Sequence, residues 1–153
     1  IRGSHMTYSK RYPAAFDVFQ DASNIKIYTD TPSNKQLEVV NAYDNSILFT
    51  DHIISQLIAG LKESSQSHST IAGLVYFADH GEEVYDYKDF IGHELKRVTP
   101  VMFEIPFVVW SNSAYQTAFA DKYAAMQQNK HAPFLNDDFF DFGLCFMGIN
   151  SSL

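Results

Sequence analysis

Apolar positions along this chain follow two patterns, and each predicts a different kind of element. From Lys35 to about Glu63, Leu37, Val40, Tyr43, Ile47, Ile54, Leu57, Ile58 and Leu61 recur at the three-and-four spacing of one helical face. Ser33 or Asn34 can cap that helix and Glu38 falls in its first turn, where the helix dipole favours an anion. At about 1.5 Å per residue it would run roughly 40 Å. Ile71 to Ala78, by contrast, is an unbroken apolar run that stops at Asp79-His80-Gly81-Glu82, the pattern of a strand covered on both faces as in parallel sheets. Ile105 to Trp110 is a second such run, closed by Ser111-Asn112-Ser113. Pro106 lacks a ladder donor and belongs at that strand's start or at an edge.

Residues 7–34 read mostly as loop, with turn signals at Arg11-Tyr12-Pro13 and Thr31-Pro32-Ser33-Asn34, and a short strand is expected over Ile25 to Tyr28. Ser64 to Ser69 reads as a polar linker. Ser113 is placed to cap a helix from Ala114 to about Gln128, stopped by Asn129 and Pro133. The Phe-rich segment from Asn136 to Ile149 predicts a short buried helix. Helices flanking a few parallel strands, an α/β architecture, is the coarse expectation. In such sheets ligand groups gather at the carboxyl ends of strands, where Asp79-His80 falls.

Composition narrows the function classes. A chain of 153 residues, 46% apolar, is long enough for one compact domain that buries about two thirds of its unfolded-chain surface. The net charge is −7, and the 11 basic residues are dispersed, which excludes the clustered basic footprint of nucleic-acid binding. No apolar run approaches the roughly 18–20 residues of a membrane span, and no charged-then-apolar leader opens the chain, so the polypeptide is expected to be soluble. The single cysteine, Cys145, rules out an internal disulfide. Flanked by Leu144 and Phe146, it reads as a buried, inert thiol.

Asp79 and His80 carry the clearest chemistry. A carboxylate and an imidazole at a strand's end offer one hard oxygen and one borderline nitrogen, ligand types that zinc or manganese accepts. Gly81 permits a sharp turn, and Glu82 and Glu83 are candidate second-sphere acceptors that orient a ligating imidazole. Taken alone, an Asp-His pair after a strand is more commonly a hydrogen-bonded turn. His93, in Gly92-His93-Glu94, can donate to a substrate phosphate, protonate a leaving group or ligate a second metal, although a single loop histidine is more commonly solvated. His52, His68 and His131 read as solvated.

The order of these pieces decides between the readings. Tyr8, Arg11-Tyr12-Pro13 and Phe16 to Phe19, then Asn41-Ala42-Tyr43-Asp44-Asn45, Tyr76-Phe77-Ala78-Asp79-His80-Gly81-Glu82, Gly92-His93 and Ile105 to Trp110, resemble the carboxyl-terminal half of sulfatase-domain phosphoethanolamine transferases. The match runs from about Tyr8 to Ile149. The resemblance implies the three-layer α/β/α, alkaline-phosphatase-like sulfatase fold, here its carboxyl-terminal portion only, with a small and mainly parallel sheet flanked by helices. It casts Asp79 and His80 as ligands of a catalytic zinc, ahead of manganese or calcium, and His93 as a substrate-phosphate or second-metal residue. Family members also carry a Gly-Ser-His or Gly-Thr-His before the Tyr and Arg-Tyr-Pro elements, which places a further catalytic histidine on His5. Gly3-Ser4-His5-Met6 is also a common expression-vector scar, so residues 1–6 are either a tag remnant or the end of a native strand, and residues 7–153 are the catalytic-domain part.

The family's threonine nucleophile and its upstream acidic ligand have no counterpart here. None of Thr7, Thr29, Thr31, Thr50, Thr70, Thr99 or Thr117 stands at the required helix amino terminus. The expectation is therefore a fragment, inactive alone, that binds zinc weakly or not at all in isolation. Its parent would take phosphoethanolamine from a phospholipid donor and pass it to lipid A, a core sugar or another envelope acceptor, at the periplasmic face of the inner membrane. The alternatives are a sulfatase or phosphatase of the same superfamily, and a non-catalytic remnant serving as a binding or structural module. An exposed sheet edge is expected to favour a homodimer.

Overall fold

The computed structural model describes residues 3–21 and 25–149, which form two compact units. The first unit takes the chain up to Ala59 together with Tyr76–Val108; the second takes Gly60–Val75 and the chain from Val109 onward. The expected strand end at Ile1-Arg2 lies outside the described residues.

Helix α1 spans Asn34–His68, so the serine-rich stretch expected as a linker is helical. Its start is a capping box. Ser33 Oγ accepts from Gln36 N at 3.3 Å, while Gln36 Oε1 accepts from Ser33 N at 2.9 Å. Glu38 lies beyond the first turn, which holds no acidic residue. At the other end Ser65 Oγ donates to Lys62 O and Ser67 Oγ to Glu63 O, each at 3.0 Å. Those hydroxyls bond back onto the helix instead of competing with it, so polarity alone does not end the segment. The stop comes at Ser69, in the left-handed region at φ 52°.

In the first unit, α1 buries polar rather than apolar groups most deeply: Asn45 and Ser46 are almost fully enclosed, while Ile47 and Leu57 of the expected apolar face are exposed. Asn45 works as a staple. Its Oδ1 accepts from Val18 N at 3.0 Å and Phe19 N at 2.8 Å, and its Nδ2 donates to Asp17 Oδ1 and Phe19 O, each at 3.1 Å. One buried amide thus satisfies the backbone of a segment that has no regular structure of its own. Ile25 to Tyr28 is not a strand, but Tyr28 N donates to Tyr85 O at 2.8 Å.

Strand β1 spans Gly73–Phe77; β2 and β3, Glu83–Val84 and Ile91–Gly92, form a small antiparallel ladder with Glu83 opposite Gly92. Strand β4, Phe107–Ser111, pairs with β1. Asn112 N donates to Ala72 O at 3.0 Å, and the Phe77 and Phe107 rings stand 5.8 Å apart, so β1 and β4 run in opposite directions. The parallel pairing expected from continuous hydrophobicity is absent from both described ladders. An unbroken apolar run reports that both faces are covered, which favours a parallel strand but is met equally by an antiparallel one covered on both sides. That coverage is itself partial here, because β1 is half-buried along most of its length.

In the second unit, Asn112 rather than Ser113 caps the helix after β4, its Oδ1 accepting from Tyr115 N at 2.9 Å. The expected single helix breaks at Phe119 (φ −125°, ψ 47°) into α2, Ser113–Ala118, and α3, Ala120–Gln128. Helix α4, Phe139–Phe146, packs Phe146 on Tyr115, whose hydroxyl donates to Phe146 O at 2.9 Å. It ends on Gly148 at φ 76°. Gly148 N reaches Cys145 O and Ile149 N reaches Leu144 O, the paired bonds of a glycine-terminated helix. Cys145 is exposed, contrary to expectation: on a helix, immediate neighbours point about 100° away, so flanking Leu144 and Phe146 do not share its face.

Candidate metal centre and histidine cluster

Strand β1 leads directly into Asp79-His80. The Asp79 side chain is 90% exposed, and its Oδ1 accepts from the backbone N of His80 at 3.1 Å, which ties the carboxylate to the turn. Its other oxygen, Oδ2, stands 3.8 Å from His80 Nε2. His80 Nδ1 lies 3.0 Å from Gly81 O. A carbonyl can only accept, so the proton of the neutral ring sits on Nδ1 and the lone pair on Nε2, the nitrogen that faces Asp79. Gly81 is required by close approach. Its N donates to Met102 O at 2.9 Å, and a Cβ there would lie 1.9 Å from Val101 O.

Beyond the glycine the two glutamates diverge, as successive residues of a strand do. Glu83 is fully buried and accepts from Tyr87 N at 2.7 Å and Lys88 N at 3.3 Å, which closes the loop between β2 and β3. Glu82 is 7% exposed, accepts from the Tyr8 hydroxyl through Oε2, and turns Oε1 toward His93 Nδ1 at 3.6 Å. The imidazole that Glu82 faces is thus His93; His80 is oriented instead by the Gly81 carbonyl.

Returning along β3, the chain brings His93 back onto His80, with ring centroids 3.7 Å apart. His5 joins them, its ring 6.0 Å from that of His93 in an edge-on arrangement. Arg11 fixes the His5 segment by donating from Nε to His5 O and from Nη2 to Met6 O, each at 3.0 Å. The phenols beneath this cluster stay protonated. Burial first, then the hydrogen bond and charge of Glu82, holds Tyr8 well above the ordinary phenol range. Burial, followed by the charges of Glu82 and Asp86, pushes Tyr43 up to about 12.

The sequence-predicted site residues His5, Asp79, His80, Glu82 and His93 are therefore neighbours. Sequence reasoning missed the tasks of Arg11, Glu83 and Tyr8: the Tyr8 to Glu82 bond joins positions 74 apart, and no local pattern signals such a pairing.

The donor set suits half of a zinc shell. Two adjacent ligands at the zinc distances of about 2.0–2.1 Å stand roughly 3.3 Å apart on a tetrahedron, within a small side-chain rotation of the 3.8 Å observed. Among the described residues, no group of three or more His, Cys, Asp or Glu side chains is arranged to hold a metal ion.

The family model for sulfatases matches residues 1–149. The chain belongs to the sulfatase family. Similar curated proteins include the Kdo(2)-lipid A phosphoethanolamine 7''-transferase of Escherichia coli K12, 30% identical over 131 residues, and phosphoethanolamine transferase EptC of the same strain, 34% identical over 118 residues. These alignments cover 86% and 76% of this chain but 22% and 19% of the two relatives, so the chain spans about a fifth of their length. Among solved structures, the carboxyl-terminal periplasmic domain of EptC from Campylobacter jejuni superposes with a TM-score of 0.73 at 27% identity, covering 99% of this chain and 46% of that one. The sulfatase family's α/β fold is thereby shown, with this chain corresponding to a part of the domain. No helix among the described residues is long and apolar enough to cross a membrane.

Proposed function

We propose that this chain is the part of a zinc-dependent phosphoethanolamine transferase that holds the metal through Asp79 and His80 and meets the transferred phosphoryl group with His93 and His5. The whole enzyme would take phosphoethanolamine from a phospholipid and place it on lipopolysaccharide or another envelope acceptor, at the periplasmic face of the inner membrane. The observation that carries this reading is the convergence of Asp79, His80 and His93 in a chain whose relatives are transferases of this group.

Zinc, when bound, would polarise a phosphoryl oxygen and lower the pKa of a hydroxyl nucleophile. The protein's own residues do the rest. His80 presents Nε2 because Gly81 O occupies Nδ1, and Asp79 supplies the neighbouring oxygen. His93, half-exposed beside them, donates to a phosphoryl oxygen or gives a proton to the leaving oxygen when both its ring nitrogens are protonated, and as a neutral ring would ligate a second metal. His5, which we read as native because the family match begins at residue 1, adds a second imidazole donor.

In this reading none of the chain's threonines supplies the nucleophile, and three of them are engaged or buried elsewhere. Thr50 and Thr117 donate back to Ser46 O and Ser113 O within helices, and Thr99 is buried. The 153-residue chain alone is accordingly expected to catalyse no transfer. The test is mass spectrometry of lipopolysaccharide from cells expressing the longest reading frame that contains this chain. A phosphoethanolamine increment lost in Asp79→Ala and His80→Ala supports the reading. A frame that hydrolyses sulfate or phosphate esters and leaves the envelope unmarked overturns it.

A further inference from the structure

Glu82 presents an anomaly that the proposed reaction does not explain. Its carboxylate is almost wholly enclosed, yet only Oε2 is satisfied, by the Tyr8 hydroxyl, while Oε1 is buried without a hydrogen-bond partner. An oxygen left so bears the cost of desolvation with no bond to offset it, so native structures seldom keep one without a use. The group nearest to it is His93 Nδ1 at 3.6 Å, just outside hydrogen-bond range and within reach of a small ring rotation. Catalytic hydrogen bonds are often this loose before substrate arrives.

We propose that Tyr8 and Glu82 form a positioning strut for His93, with Tyr8 O–H fixing one carboxylate oxygen so that the other accepts from His93 Nδ1–H and leaves Nε2 as the ring's lone-pair nitrogen. The inference deepens the transferase reading and rests on it for its purpose, but its geometry stands alone. It concerns orientation and tautomer, and needs no change of ionisation.

Three features make the strut rigid. Tyr8 is 3% exposed and its ring packs edge-on against Tyr43 of α1 at 5.1 Å. The chain on either side of Glu82 is anchored, by Gly81 N on Met102 O and by the ladder that pairs Glu83 with Gly92. Gly92, buried and directly preceding His93, ties the ring's backbone to that same ladder. The carboxylate and the imidazole therefore flank the paired strands, one residue before β2 and one after β3, and little freedom remains except rotation of the ring.

The result sought is the tautomer of His93, read from the ring-nitrogen shifts of the metal-free 153-residue chain labelled with ¹⁵N-histidine. Spectra are recorded at about pH 9, above the ordinary imidazole value near 6.5. The strut predicts one protonated and one lone-pair nitrogen for His93, with Nδ1 protonated. Glu82→Gln leaves one acceptor oxygen for two donors, Tyr8 O–H and His93 Nδ1–H, and should weaken that pattern. Glu82→Ala should merge the two signals toward an exchange average, and Tyr8→Phe should do so in part. His80, set by Gly81 O, serves as the internal control and should not change. A His93 ring protonated on Nε2 in the parent chain, or a pattern indifferent to Glu82→Ala, overturns the proposal. Should the alanine variant fail to fold by circular dichroism, the parent and Tyr8→Phe spectra decide it. Because no metal or transfer is measured, failure here is distinct from failure of the transferase reading.

Discussion

The imidazole of His93 lies 3.7 Å from that of His80, although a turn, two short strands and a loop separate them in the chain. That closeness is built by backbone accounting. Glu83 caps the loop's N–H groups, and the ladder of Glu83–Val84 with Ile91–Gly92 turns the chain back on itself. What a sequence presents as two isolated histidines is one chemical surface, and its integrity depends on residues that touch no ligand.

Asn45 is the first such residue. Removing its amide strands the N–H groups of Val18 and Phe19 and the Asp17 and Phe19 oxygens that it now serves. Asn45→Ala is expected to lower unfolding stability by at least about 1–3 kcal/mol in urea titrations, more than an exposed alanine substitution on the same helix.

Gly81 admits no side chain. A Cβ would sit 1.9 Å from Val101 O, which is backbone and cannot move aside alone. Gly81→Ala should cost about 1–3 kcal/mol by overpacking and should displace His80, whose Nδ1 partner is the Gly81 carbonyl. Thermal unfolding measures the first effect, and the ring-nitrogen shifts of His80 the second.

Alkaline stability should follow the phenols. An unfolded tyrosine ionises near 10.0, whereas Tyr43 in the fold does so near about 12. Between these values the unfolded chain has released a proton that the folded chain retains, so stability is level below the window and falls as pH rises through it. Tyr8 shifts in the same direction and adds to the decline. Urea midpoints collected from neutral pH upward should drop above about pH 10, and Tyr43→Phe should flatten the drop.

Much of this was legible from residue pattern. The start of α1, the strand before Asp79 and the break after it followed from periodicity and motif order, while the resemblance put forward His5, Asp79, His80, Glu82 and His93, which the fold brings together. What escaped has identifiable causes. The two-residue strands around His93 are too short to show a period, and the direction of β4 against β1 is not encoded in apolar continuity. Ser65 and Ser67 look like linker residues but return their hydroxyls to the helix. The pairing of Tyr8 with Glu82 exists only in three dimensions. Ile47 and Leu57, read as a buried face, are exposed here. In the Campylobacter jejuni domain, more than half of the chain lies outside the matched part.

The central claim is that Asp79 and His80 are one half of a metal shell, and calorimetric titration of zinc into the 153-residue chain tests it most directly. Two ligands close no tetrahedral site, so the account predicts weak binding or none, and any weak binding is abolished by Asp79→Ala and by His80→Ala. Tight nanomolar one-to-one binding, or weak binding that survives both substitutions, would contradict it.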